Sequence, residues 1–155
     1  MNSKNSYNFI IVDDNPLDIT VCELFIKKVI AKPQIRSFTL AELALEYIVN
    51  EYGKPGENNP TLLLLDVYMF PMDGFEFLDS FMKLSRTIKE QFKVIVLACS
   101  TDLPEIQKVL SYPCVVCYCV KPVTREILKY LIHENGVQRN LKGADIFKIA
   151  GVRLR

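Results

Sequence analysis

Short uninterrupted apolar runs alternate along the chain with longer stretches in which apolar residues recur every three or four positions. Residues 9–12 form such a run and stop at Asp13-Asp14-Asn15, the pattern of a strand buried on both faces. Residues 35–38, 61–65, 93–97 and 114–120 read as four more strands. Helices are expected between them. Asn15 can cap the first and Pro16 suits its first position. Leu17, Val21, Leu24, Phe25 and Lys28 follow at helical spacing, with Cys22, Ile26, Val29 and Ile30 widening the apolar face. Thr39 is placed to cap a second helix carrying Leu40, Leu43, Ala44, Tyr47 and Ile48. After the Gly-, Pro- and Asn-rich loop 52–60, Asp73 caps a third helix over 74–84, with Phe77, Leu78, Phe81 and Met82 inward. A short fourth helix spans 103–110, and the last, 124–133, packs through Ile127, Leu128, Leu131 and Ile132. Five strands alternating with five helices predict an α/β fold around a doubly wound parallel sheet.

A length of 155 residues allows one domain whose core needs no disulfide or structural metal. Nineteen basic and eighteen acidic side chains leave a net charge of +1, which gives no electrostatic case for a nucleic acid or a membrane as partner. The apolar runs are too short to span a bilayer, and the polar residues 1–8 lack the apolar centre of a secretory signal. Five cysteines, an odd number, suit a reducing compartment, so a cytoplasmic location is expected. Cys114, Cys117 and Cys119 suggest a zinc motif. On a strand, however, Cys117 and Cys119 face one side and Cys114 the other, so they are better read as small core residues. With His133 the only histidine, neither a Ser-His-Asp triad nor a histidine metal centre can be built. Residues 1–7 are expected to be disordered and 8–133 to form the domain. Residues 134–155 should form a basic tail, with Arg139, Lys142, Lys148, Arg153 and Arg155, too short to be an output domain.

In an open parallel sheet the functional crevice lies outside the carboxyl ends of the strands. There the sequence places Asp13 and Asp14 after the first strand, Asp66 after the third and Lys121 after the fifth. Clustered carboxylates call for a hard cation. Mg²⁺ fits, because it takes a few oxygen ligands beside retained waters and a substrate phosphate. A lysine across from them supplies fixed positive charge for a developing phosphate. The pattern points to phosphoryl chemistry, with Asp66 as the candidate nucleophile.

Four segments carry a family likeness: VDDN with Asp13 and Asp14, LLLLDVYMFPMDGFEFL around Asp66, VIVLACS ending the fourth strand, and YCVKPVT with Lys121 and Pro122. Over residues 8–133 the chain resembles the receiver domain of bacterial two-component response regulators, in the free-standing form of chemotaxis receivers. The resemblance implies a flavodoxin-like, five-stranded sheet in the order 2-1-3-4-5. It implies Mg²⁺ held by Asp13, Asp14, Asp66 and the backbone carbonyl of Tyr68. It further implies Lys121 paired with the phosphate and followed by a cis bond to Pro122. A sensor histidine kinase or a histidine phosphotransfer protein would be the donor, and a further, unidentified protein would receive the signal. Such a chain is a signalling phosphoacceptor that assists its own phosphorylation and dephosphorylation, not an enzyme with a separate substrate.

Two positions depart from the family pattern. Ala98 stands where a hydroxyl residue usually ends the fourth strand, with Ser100 two residues on, and Phe70 replaces a proline four residues past the acceptor. Tyr118 occupies the aromatic switch position, three residues before the lysine. Ala98 favours a second reading, a pseudo-receiver that docks proteins without phosphorylation. A third, a phosphatase with an aspartate nucleophile, is opposed by Tyr68, which stands where a second acid is needed. A flavin-binding role is opposed by the lack of a Ser/Thr/Gly-rich cradle after the first strand.

Overall fold

The computed structural model describes residues 7–54 and 60–132 and the backbone of 133–136 and 152–154. Strands β1 (Asn8–Val12), β2 (Gln34–Phe38), β3 (Thr61–Asp66), β4 (Phe92–Ala98) and β5 (Val115–Val120) form a parallel sheet in the order β2-β1-β3-β4-β5. A short strand β6 (Val152–Leu154) pairs antiparallel with β5. Helices α1 (Pro16–Val29), α2 (Ala41–Tyr52), α3 (Gly74–Met82), α4 (Arg86–Lys89), α5 (Leu103–Leu110) and α6 (Arg125–Gly136) connect the strands. The flavodoxin-like order is the expected one, with one helix more than the five expected. That helix, α4, is a single turn capped by Ser85 and anchored by buried Ile88, too short to leave a periodic signature. Of the segment expected as a tail, residues up to Gly136 continue α6 and 152–154 form β6, while 137–151 lie outside the described residues. Residues 1–6, expected to be disordered, also lie outside them.

The sheet is covered on both faces, and this is why β1, β3 and β4 read as continuous apolar runs. Ile10, Val12, Leu63, Leu65, Val94 and Val96 face α2, α3 and α5, while Phe9, Ile11, Leu62, Leu64, Ile95 and Leu97 face α1 and α6. A bulge in β5 opposite Val94 and Ile95 breaks the alternation. Val115 and Tyr118 therefore share the first layer, while Cys117 and Cys119 lie in the second. Cys114 packs against the first layer, so the three cysteines divide between the two faces.

The inward stripes of two helices overlap only in part with those their spacing suggested. In α1 the buried residues are Ile19, Cys22 and Ile26, and Leu17 and Leu24 are exposed. In α2 they are Ala41, Ala44 and Ile48, with Leu40 and Leu43 exposed. The second helix is also capped by Leu40, without a side-chain bond, and not by Thr39. Both helices carry apolar residues around most of their circumference, so spacing alone could not select the face. At the ends that matter for the site the signals were specific. The Asn15 side chain accepts from the Leu17 N–H, and Asp73 forms a reciprocal capping box with Glu76.

Gly74 opens α3 directly against the end of β3. A Cβ there would lie 2.6 Å from the Asp66 carbonyl oxygen and 2.7 Å from the Val67 Cα, both backbone atoms that cannot step aside cheaply. The Gly74 N–H donates to the Val67 carbonyl at 2.8 Å, which fixes the approach. Gly74→Ala is expected to cost about 1–3 kcal/mol through this overpacking, read as a lowered urea midpoint with an unchanged slope. A change within about 0.5 kcal/mol would show that the helix can withdraw from Asp66 freely.

Candidate active site

The carboxyl ends of β1, β3 and β5 deliver the charged residues to one place. Asp13 follows β1, and its own N–H donates to the Phe38 carbonyl at the end of β2. Its Oδ1 accepts from the Asn15 N–H at 2.9 Å, so the turn into α1 fixes the carboxylate. Asp14, beside it, is exposed and accepts from the Phe70 N–H at 3.3 Å. Asp66 ends β3 and is 6% exposed. Asp13, Asp14 and Asp66 each place a carboxylate oxygen within 4.8 Å of the others. In an octahedral Mg²⁺ shell adjacent oxygens lie about 3 Å apart and opposite ones about 4.2 Å, so small side-chain adjustments let these three carboxylates hold one such ion. Among the described residues this is the one cluster of three or more acid, histidine or cysteine ligands close enough to do so.

Lys121 reaches in from the end of β5. Its Nζ lies 2.7 Å from Asp13, 3.0 Å from Asp18 and 3.3 Å from Asp66, and its side chain is mostly buried. The Lys121 N–H donates to the Ala98 carbonyl at 2.8 Å, and the peptide bond to Pro122 is cis, as the family resemblance implied. A second cis bond joins Phe70 to Pro71. Beside the ammonium lies a cavity of about 260 Å³ walled by Val21, Cys22, Leu97, Pro122 and Val123.

Three carboxylates, Asp13, Asp18 and Asp66, thus share one ammonium, and burial together with this balance decides the protonation of Asp66. Burial pushes its carboxyl up, Lys121 pulls it down and Asp13 pushes it up again, leaving it at about 6 against an ordinary 3.8. Lys121 is lowered by burial, but its bonds to Asp13 and Asp18 and the charges of Asp66 and Asp13 outweigh that and raise it overall. The ammonium lies closest to Asp13 and Asp18, and what it supplies to Asp66 does not offset the burial of that carboxyl.

The residues expected to couple the site to the rest of the fold lie on its far side. Ala98 is fully buried at the end of β4. The Ser100 hydroxyl accepts from the Asp102 N–H at 3.0 Å, within the turn that starts α5. Tyr118 is fully buried, with its hydroxyl 2.8 Å from the Ser100 carbonyl and 2.9 Å from Glu105 Oε1. Tyr68, two residues past Asp66, is largely exposed, and its hydroxyl donates to the other oxygen of Glu105. Burial and the bond to Glu105 both raise the Tyr118 hydroxyl, and the same carboxylate raises that of Tyr68. Asp18 and Glu105 were not singled out from the sequence. Each is a first-turn acid of a helix that starts just after a strand, a placement that helix dipoles favour anywhere and that carried no sign of these partners.

A model of the response regulator receiver domain matches residues 9–133. The chain belongs to that family. A Halalkalibacterium halodurans protein named "Probable C4-dicarboxylate response regulator DctR" is 30% identical over 125 residues, which cover 77% of this chain and 47% of that one. The chain therefore spans about half the length of that relative. The fold is shared with a response regulator receiver protein from Dyadobacter fermentans (TM-score 0.73, 23% identity, covering 83% of this chain and 97% of that one). It is shared equally with a two-component response regulator from Cytophaga hutchinsonii (TM-score 0.73, 22% identity, 83% and 96% covered). Receiver domains are signalling modules of two-component systems, generally not classed as enzymes, and they typically bind Mg²⁺ at an acidic pocket. No helix among the described residues is long and apolar enough to cross a membrane.

The raised carboxyl of Asp66 has a consequence for stability. Because its pKa is higher folded than unfolded, the stability tied to its proton is complete below about pH 4 and is lost as pH rises through about 6. Asp66→Asn cannot ionise. Without divalent cations it is expected to exceed the wild type by about 1–3 kcal/mol at pH 8, with the gap closing towards pH 4 in urea denaturation. A gap independent of pH, or a less stable variant at pH 8, would contradict this picture of the site.

Proposed function

We infer that the chain accepts a phosphoryl group on Asp66 from a phosphohistidine of a sensor kinase or a histidine phosphotransfer protein, with Mg²⁺ as cofactor. The observation that carries this reading is the convergence of Asp13, Asp14 and Asp66 within 4.8 Å beside a buried lysine. In this reading Asp13, Asp14, Asp66 and the backbone carbonyl of Tyr68 hold the ion. Bound there, Mg²⁺ supplies the positive charge that lets three carboxylates and a phosphoryl group share the site.

The rest of the chemistry belongs to the chain. A carboxylate oxygen of Asp66 attacks phosphorus as the phosphorus–nitrogen bond of the donor breaks. The donor imidazole keeps that electron pair, and the product is an acyl phosphate. Lys121 stays protonated throughout, already placed by Asp13 and Asp18, and presents its ammonium to the phosphoryl oxygens with little reorganisation. The turn at Asn15 and the close approach of Gly74 fix the directions of Asp13 and Asp66, so that attack needs small movements only.

The acyl phosphate changes the charge and shape of the site, and that change is the signal. It is read by a protein partner or by further segments of a longer molecule. Ala98 presents a methyl group where the family pattern has a hydroxyl, so the phosphoryl group gains no side-chain hydrogen bond from that position. This observation favours the pseudo-receiver as the second reading.

Intact-protein mass after incubation with Mg²⁺ and acetyl phosphate separates the two readings. One added phosphoryl group is expected, about 80 mass units, absent from Asp66→Ala and without Mg²⁺. No addition, under conditions that label another receiver domain, would leave phosphorylation-independent docking as the function.

A further inference from the structure

The geometry points to Glu105 as a positioning residue that ties the loop after Asp66 to the buried ring of β5, so that Tyr68, Glu105 and Tyr118 act as one unit. The two tyrosines are far apart in the chain, yet each is close to a member of the charged cluster. Tyr68 stands two residues past Asp66 and Tyr118 three residues before Lys121. Glu105 divides its carboxylate between them, with Oε2 accepting from Tyr68 and Oε1 from Tyr118 at 2.9 Å.

The carboxylate is itself held in place. Asp102 caps α5 and accepts from the Glu105 N–H at 3.3 Å. The Ser100 hydroxyl accepts from the Asp102 N–H at 3.0 Å, and the Ser100 carbonyl lies 2.8 Å from the Tyr118 hydroxyl. The β4–α5 connection is thus wrapped around the tyrosine pair. The side chain of Ala98, at the end of β4, offers only a methyl group, so the side-chain hydrogen bonds to Tyr118 and Tyr68 come from Glu105.

The two ends of the link differ in a way that suits transmission. Tyr118 is fully buried, and its single hydroxyl proton has two acceptors, of which the carboxylate is the stronger. Removing that carboxylate leaves a buried hydroxyl with a carbonyl alone. Tyr68 is 58% exposed, an open ring held mainly by its hydroxyl, on the loop that any occupant of the Asp66 site must touch. A shift of that loop pulls on Glu105, and Glu105 pulls on the ring beneath α5. The tether itself stands independently of the proposed function; its use in signalling rests on that reading.

Carbon-13 NMR of protein labelled at the tyrosine Cζ tests the tether, with Tyr68→Phe and Tyr118→Phe assigning two of the seven tyrosine signals. Tyr68→Phe is expected to move the Tyr118 signal in the Glu105 protein and to move it about threefold less, or not at all, in Glu105→Ala, the logic of a double-mutant cycle. Should Glu105→Ala lose the dispersion of the remaining signals, the isosteric Glu105→Gln carries the comparison, with the same expectation. An equal movement with and without the carboxylate overturns the proposal.

A second arm adds Mg²⁺ and acetyl phosphate and follows phosphorylation by mass. The Tyr118 signal is expected to shift in the wild type and to stay in place in Glu105→Ala at equal phosphorylation; equal shifts overturn the coupling. If the wild type takes up no phosphoryl group, the functional reading fails, while the first arm still decides the tether.

Discussion

Three carboxylates share one buried ammonium, with a fourth, Asp14, beside them, and the rest of the site follows from that imbalance. At 4 Å, two like charges repel by about 4 kcal/mol at an effective dielectric constant near 20. One lysine cannot offset several such pairs. Burial disfavours the ionised form of Asp66 most, and Lys121, nearest to Asp13 and Asp18, offsets this only in part, which leaves Asp66 prone to hold a proton. A divalent cation relieves the repulsion, and a carboxylate freed of its proton becomes a better nucleophile. In the proposed function, cofactor and acceptor are thereby linked: what makes Asp66 uncomfortable alone makes it reactive in company.

Holding these charges together against their repulsion falls to the fold. Asp13, Asp14, Asp66 and Lys121 sit at the ends of strands that run through the core, and Asp18 in the first turn of α1, so the carboxylates cannot separate without disturbing the core. Turn chemistry then sets their directions. Asn15 at the start of α1 secures Asp13, and Gly74 at the start of α3 lets that helix press on the backbone of Asp66. The same turns place Tyr68 at the rim, where Glu105 reaches it from α5.

Much of this was legible in the sequence because strand ends announce themselves. A buried strand reads as an apolar run, and the polar residue that stops it marks where the crevice must be; Asp13, Asp66 and Lys121 were found in this way. The caps at Asn15 and Asp73 were equally local and equally clear. The less legible features depended on distance or redundancy. On α1 and α2, Cys22, Ile26, Ala44 and Ile48 were rightly placed inward but Leu17, Leu24, Leu40 and Leu43 were not, because both helices are apolar on most sides. The turn of α4 was too short to have a period. Asp18 and Glu105 acquire their roles from Lys121, Tyr68 and Tyr118, residues that spacing along the chain cannot bring near. The bulge in β5, which turns Tyr118 to the same face as Val115, was invisible to a strict alternation.

The most direct measurement of the central account is calorimetric titration of the full chain with Mg²⁺, in two buffers of different protonation enthalpy, at pH 6 and pH 8. If burial and repulsion hold a proton on Asp66 and the cation displaces it, binding at pH 6 releases about half a proton, and release falls towards zero at pH 8. Binding without proton release at pH 6 would contradict the account of how the carboxylates share their charge. No binding at millimolar Mg²⁺ would contradict the assignment of the site itself.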